Sequence, residues 1–375
     1  MPSATSKPTS SDVVSGRAAA PMAFLLPNLE GGGAQRVFVN LVNTLVATTH
    51  YPVHLVVMRT GGVFQSELDP RVTLIDLGTA RASRSLPALV RYLRRHCPRV
   101  LTSTLYYSNV ITILAWRLAG RPCRLVVREA NVMQEPGVGM RWLMRWTYPH
   151  ADCVVALSPE IRDSLLQAGV RVADRTVEIG NPGVFPAVDG AEGLLEFLPN
   201  PRPRFICAVG SLSHQKGFDL LLSAFARLAD RSLDLVILGE GAARAALAEQ
   251  ATALKINARV HMPGFIRHPG TVMGQAELFV LPSRWEGFPN VLLEALAAGV
   301  PVVAADCPGS PRSILAGGLH GHLVAPEDAD ALREGMEAAL RAPRGTPASR
   351  RTRARDFGAE RITRQYLEEA LLVTP

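Results

Sequence analysis

Long apolar runs are missing from this 375-residue chain. No stretch reaches the roughly eighteen uncharged apolar residues of a transmembrane helix, so none is expected. The first twenty residues, MPSATSKPTSSDVVSGRAAA, lack the apolar segment of a secretion signal and read as a disordered tail over 1–20. Cysteine is scarce. Cys97, Cys123, Cys153, Cys207 and Cys307 are odd in number, scattered and without CxxC spacing, which argues against a disulfide framework or a structural zinc site and fits a reducing cytosol. No GxGxxG follows an apolar run, no GK[ST] follows a glycine loop, and no Gly-x-Ser-x-Gly elbow occurs. A dinucleotide oxidoreductase, a P-loop enzyme and an elbow-type serine hydrolase are therefore disfavoured. No aromatics interleave with the basic residues in a recognisable module, so nucleic acid is not the expected partner. What is present is a globular composition, 47% hydrophobic and 19% charged, long enough for two domains with separate cores.

The net charge of +7 lies entirely in the first half. Residues 1–190 carry 20 Lys and Arg against 13 Asp and Glu, whereas residues 191–375 carry 20 against 20. A basic field of this kind attracts anionic lipid or phosphorylated substrates, or is simply a solvated arginine-rich surface in a chain with only three lysines. Within it, LPALVRYLRRHCPR (86–99) combines Leu86, Leu89, Val90 and Leu93 with Arg91, Arg94, Arg95 and Arg99. It reads as a surface that grips a membrane or an acceptor's lipid diphosphate, or as a sheet-covering helix whose arginines face water.

Apolar runs alternate with amphipathic stretches. MAFLLPNL (22–29), VHLVVM (53–58), VTLID (72–76), VLTST (100–104), RLVV (124–127) and CVVAL (153–157) form one series of predicted strands. RFICAVG (204–210), LDLVILG (233–239), RVHMPG (259–264), ELFVLP (277–282), VPVVAA (300–305) and GHLVA (321–325) form another. Continuous rather than alternating apolar character predicts strands covered on both faces, as in parallel sheets. The Pro- and Gly-rich segment 181–204 divides them. The expected fold is α/β: two doubly wound Rossmann-like domains over 21–185 and 200–350 that face a cleft. Residues 356–373 read as one more helix, the segment 351–375 being expected to return to the first domain.

Three segments carry candidate chemistry. In SRWEGFPNVLLEALAAGVPVVAADCPGSP (283–311), a helix from about Pro289 to Ala298 is apolar all round except for Glu294, which predicts a buried carboxylate in need of donors. Ligand hydroxyls or an internal partner would supply them. Pro289 and the free amides of the first turn also form a natural phosphate site. In VGSLSHQKGFDLLL (209–222), Lys216 and Gly217 stand at a helix entrance, where a lysine can neutralise a pyrophosphate leaving group. In GGGAQR (31–36), Gly31, Gly32 and Gly33 let backbone amides approach a phosphate or sugar closely. His320 and His322 have no completing ligand nearby and read as turn residues.

Together these motifs resemble the retaining glycosyltransferases of family four, which have the GT-B fold. The likeness rests on Glu286 and Glu294 (Glu-x7-Glu) within EGFPNVLLEALAAGVPVV, the Lys-Gly of VGSLSHQKG, ILGEG (237–241), HMPGF (261–265) and GGGAQRV. The resemblance implies a nucleotide-sugar donor on the C-terminal domain and an acceptor on the N-terminal domain. Glu294 would hold the ribose, Glu286 would contact the transferred sugar, and Lys216 would neutralise the diphosphate. Gly287, Phe288, Pro289 and Asn290 would support the sugar through their amides, with Ser211, Gly239 and Phe265 also on the donor. Gly32 and Gly33 would face the diphosphate from across the cleft, and no metal or other cofactor is implied.

Three positions depart from the family pattern. Ser211 stands where many members have arginine, so Lys216 would carry more phosphate charge, helped by Arg36 or His214. Ala130 aligns with a common histidine, leaving Glu129 or Asn131 to orient the sugar. Ser313 stands where many relatives have glutamate. The expected activity is transfer of a hexose or N-acetylhexosamine from a UDP-sugar to a lipid-linked saccharide or polysaccharide precursor, in the cytoplasm or on the inner membrane face. A sugar-nucleotide epimerase and a catalytically silent nucleotide-sugar binder are the alternatives.

Overall fold

The computed structural model describes residues 20–373 except 31, 80–81, 133–136, 186–195, 199–202 and 267, as well as the side chains of 82–83. Residues 1–19 of the expected tail 1–20, and Gly31, lie outside the described residues. Two wholly parallel sheets form the frame. The first contains β1 (Met22–Leu26), β2 (Val53–Val57), β3 (Thr73–Asp76), β4 (Val100–Thr104), β5 (Arg124–Glu129), β6 (Cys153–Ala156) and β7 (Thr176–Glu178), in the order β3-β2-β1-β4-β5-β6-β7. The second contains β8 (Arg204–Val209), β9 (Leu233–Leu238), β10 (Val260–Gly264), β11 (Leu278–Leu281), β12 (Val302–Ala305) and β13 (His322–Val324), in the order β10-β9-β8-β11-β12-β13.

The apolar runs explain these strands. Every residue of β1, β6, β9, β11 and β12 is buried, because helices cover both sheet faces. Edge strands β3 and β7 carry partly exposed residues, and β7 has no apolar run to announce it. The fold is thus the expected pair of doubly wound α/β domains.

The chain crosses between domains twice, and the crossings touch. The Gly183 amide donates to Phe357 O (2.8 Å), and the Ala359 amide donates to Gly183 O (3.0 Å). This pairing interrupts the C-terminal segment. The helix expected over 356–373 is present as Ala359–Gln365 running straight on into a wider turn at Tyr366–Leu371; the break at Phe357 and Gly358 separates it from a preceding helix, Pro347–Arg355. Pro347–Arg355 belongs to the second domain. Ile362, Tyr366, Leu367 and Leu371 beyond the break share a core with Phe24 and Phe38 of the first.

Candidate functional site

The carboxyl ends of both sheets border one cleft of ≈ 1180 Å³. In each sheet the strand order reverses beside the first strand, between β1 and β4 and between β8 and β11. Loops leaving such a reversal point diverge and open a crevice. Gly32, Gly33 and Leu105 reach the cleft from the first pair, and Gly210, Ser211, Lys216 and Glu286 from the second.

The C-terminal wall contributes Lys216, Glu240, Glu286 and Glu294 to the lining. Gly217, at φ +65, reverses the chain ahead of the helix Phe218–Phe225, and a Cβ there would lie 2.1 Å from Pro282 O. This close approach brings Lys216 onto the loop after β11. Its Nζ donates to Glu286 Oε1 (2.6 Å) and Oε2 (2.9 Å), and Ser283 Oγ donates to Glu286 Oε1 (2.6 Å). Both charged side chains are largely sequestered, at 16% and 5% exposure. Lys216 is therefore not a solvated surface lysine.

Eight residues on, Glu294 lies on the helix Asn290–Ala298. It is partly buried rather than enclosed, because Val291, Glu294 and Ala297 form the stripe that faces the cavities. Its Oε2 is nevertheless shut off from water and has no hydrogen-bond partner among the described residues. Burial pushes the carboxyl up to about 7, and Arg36 across the cleft pulls the other way. The start of this helix, after Pro289, has no side-chain cap; the Leu292 amide bonds back to Pro289 O (3.0 Å), and Asn290 and Val291 of the first turn line the cleft. Its far end is braced: the buried Arg350 guanidinium donates to Gly299 O (3.0 Å) and Arg351 donates to Ala298 O (3.3 Å), cations suited to a helix C-terminus.

The N-terminal wall is built differently. Glu129 does not line the cleft. Its buried carboxylate accepts from Tyr148 OH (2.8 Å) and from the amides of Ala130 (3.1 Å) and Asn131 (3.2 Å), facing into its own domain. The strand alternation at the end of β5 turns it inward, and Arg128, Ala130 and Asn131 take the cleft positions. Sequence reasoning passed over Arg128 because a charged residue inside a strand gives no motif signal. Fully buried, it donates to Thr104 Oγ1 (2.7 Å) and to Asn181 Oδ1, and Asn181 Nδ2 donates to Asn290 Oδ1 (2.7 Å). This thread ties the first domain to the start of the Glu294 helix. Leu105, held at φ +73 beside the cleft, was also unforeseen.

Gly287 fits directly under the first domain: a Cβ would lie 2.0 Å from Ala130 O. Its carbonyl accepts from Ser310, whose Oγ also meets Ser158 Oγ (2.9 Å) across the domains. Ser313 Oγ donates across the same boundary to Glu160 Oε1 (2.6 Å), so this departure from the family pattern serves the interface. The Phe288 ring packs with Ala130, Leu157 and Trp285, although the residue still borders the cleft. Gly32, Gly33, Ser211, Gly239, Phe265, Pro289 and Asn290 all line it; Gly239, at φ +141, allows Gly210 O within 1.9 Å of where a Cβ would stand. Phe265 is 74% exposed at the mouth. His214 stands beside Trp285 and is not among the lining residues; His320 lies in a bend as expected, whereas His322 opens strand β13 rather than a turn, its Nε2 contacting Ala342 O.

Arg91, Arg94 and Arg95 are exposed on the helix Leu86–His96, away from the cleft. Leu89 and Leu93 are completely buried in the domain core, and Arg94 donates to Leu118 O (2.7 Å). The apolar face needed to enter a membrane is therefore occupied, and the helix is the sheet-covering one.

Comparison with known proteins agrees with this fold. Residues 196–359 match the family model described as Glycosyl transferases group 1, and residues 32–182 match the Glycosyl transferase 4-like domain. An N-acetylgalactosamine-N,N'-diacetylbacillosaminyl-diphospho-undecaprenol 4-alpha-N-acetylgalactosaminyltransferase of Campylobacter jejuni is 28% identical over 375 residues, covering 93% of this chain and 99% of its own. The lipopolysaccharide core biosynthesis glycosyltransferase LpsE of Rhizobium meliloti is 27% identical, covering 91% and 93%. The crystal structure of Anabaena HepE in complex with UDP and glucose superimposes with a TM-score of 0.78 at 19% identity, covering 93% of this chain and 98% of that one.

Proposed function

Because the chain belongs to the group 1 glycosyltransferases and has their GT-B fold, we propose that it transfers a hexose or N-acetylhexosamine from a UDP-sugar to a lipid-linked saccharide or polysaccharide precursor, with retention and without a metal ion. The observation that carries this reading is the shielded, unpartnered oxygen of Glu294 beside the Lys216–Glu286 pair and an uncapped helix start. A ribose presents two hydroxyl donors, which the shielded Glu294 oxygen lacks among the described residues. The diphosphate takes the charge of Lys216 and the helix amides, whose stabilisation grows as the glycosidic bond breaks. Glu286 then faces the transferred sugar.

In the transfer step the acceptor hydroxyl attacks the anomeric carbon on the face that the leaving diphosphate vacates. The new C–O bond replaces the old one, and a phosphate oxygen takes the hydroxyl proton. Asn131, Arg128 and the glycine loop border the space left for acceptor and sugar. A UDP donor is favoured by the HepE complex, and a lipid-linked acceptor by the diphospho-undecaprenol in the Campylobacter enzyme's name. Such an acceptor would be met at the cytoplasmic membrane face.

Thermal-shift measurements with UDP, GDP, ADP and TDP test the donor. UDP at a hundred times its dissociation constant should stabilise the protein by roughly 2.7 kcal/mol. Stabilisation by another nucleotide alone would reassign the base, and no response to any of them would remove the nucleotide-sugar reading.

A further inference from the structure

The first domain carries an aromatic surface outside the cleft, on the helix Val138–Thr147. Val138, Trp142 and Trp146 are 77%, 63% and 49% exposed. They stand at i, i+4 and i+8, with Arg141 and Arg145 at i+3 and i+7, so one face holds all five. Met144 and Thr147 on the opposite face are buried and anchor the helix in the domain. Exposing two large indoles on one helical stripe leaves apolar area in water that a monomer normally covers.

The surrounding charge is mainly basic, with the exposed Asp174, paired to Arg175, sharing a surface hollow with Arg145. The helix contains no acidic residue, and the Arg117 guanidinium lies 5.3 Å from the Trp146 ring centroid. His150, just beyond, is held below its ordinary value by burial and then by Arg117, Arg121 and Arg175. None of Arg117, Arg121, Arg141 and Arg145 forms an ion pair among the described residues.

We propose that this face docks the protein onto an anionic lipid bilayer, the indoles seated at headgroup level and the arginines on lipid phosphates. Tryptophan and arginine on a single amphipathic face suit that boundary, where each ring keeps its apolar body in lipid and its N–H in water. The helix also sits well for it. It begins seven residues after Asn131, which lines the cleft, so its Val138 end lies on the cleft side of the sheet. Docking there holds the cleft mouth near the headgroups. That use of the surface rests on the lipid-linked acceptor proposed above; lipid binding itself does not. The helix Leu86–His96, with Leu89 and Leu93 buried, adds only long-range attraction.

The test is flotation with vesicles of phosphatidylcholine alone or mixed with phosphatidylglycerol, alongside quenching of tryptophan fluorescence by brominated lipid. The native chain should float with the mixed vesicles and be quenched by them. Trp142→Ser/Trp146→Ser should lose at least about tenfold in vesicle affinity, while Arg91→Gln/Arg94→Gln/Arg95→Gln should lose much less. Both variants should keep the native thermal shift with UDP, which reports folding and the donor site separately from lipid binding. Unchanged flotation of the tryptophan variant would overturn the proposal. So would loss of flotation in the arginine variant alone. Self-association through the stripe, without vesicle binding, would overturn it in favour of a protein contact.

Discussion

The two walls of the cleft treat a carboxylate in opposite ways. Burial pushes both Glu129 and Glu294 up to about 7. Glu129, behind the N-terminal wall, collects three donors from its own domain, whereas Glu294, on the C-terminal wall, leaves a shielded oxygen without any among the described residues. The first is a finished structural contact. The second carries a desolvation cost that only an incoming donor relieves. Among the neighbouring groups the division is less complete: Arg128 and Asn181 are engaged with protein oxygens, although Arg128 Nε has no partner among the described residues, while the helix start at Asn290 has no side-chain cap. Strong perturbation of a buried acid therefore marks a ligand site here only when its hydrogen bonds are incomplete.

The largest effect should come from removing the cation on the open wall. Lys216→Ala should lower kcat/KM by at least about a hundredfold, the usual cost of losing one group that stabilises developing negative charge. Steady-state kinetics with a nucleotide-sugar donor check this, and near-native turnover would break the contrast between the walls. Glu129→Ala sharpens it from the other side. Tyr148 OH and two amides lose their acceptor, so the variant should unfold about 2 kcal/mol more easily in urea. Its folded fraction should bind UDP with native affinity. A selective loss of UDP binding would put Glu129 back among the site residues.

Much of this was legible beforehand, for physical reasons that also mark where legibility ended. Central strands such as β9 and β11 are covered on both faces and so announce themselves as unbroken apolar runs. β7, short and at the edge, gives no such run and was not read. The solitary Glu294 on an apolar helix and Lys216 before Gly217 are local patterns, and both side chains reach the cleft. The inward turn of Glu129 depends on the phase of β5 relative to Tyr148, nineteen residues away, and no local pattern encodes that. Arg128, Asn181 and Asn290 are joined across 53 and 109 positions, so their thread appears only in the fold. The arginines of 86–99 were visible, but not that Leu89 and Leu93 would already be spent in the core. The indoles of Trp142 and Trp146 lay in a stretch that carries no family motif.

The central claim is that the Glu294 carboxylate awaits the hydroxyls of the donor nucleotide, and calorimetric titration of UDP at pH 6 and pH 8 tests it most directly. With the free carboxyl titrating at about 7, hydroxyl donors bind its ionised form, so binding expels the proton and strengthens as pH rises. The nucleotide's own terminal phosphate titrates nearby and contributes alike to any variant. Native protein should therefore bind UDP about tenfold more weakly at pH 6 than at pH 8, beyond the change seen in Glu294→Gln. Glu294→Gln should show only the phosphate's share and bind about tenfold more weakly than native at pH 8. Equal affinities and equal pH dependence in the two proteins would contradict the account.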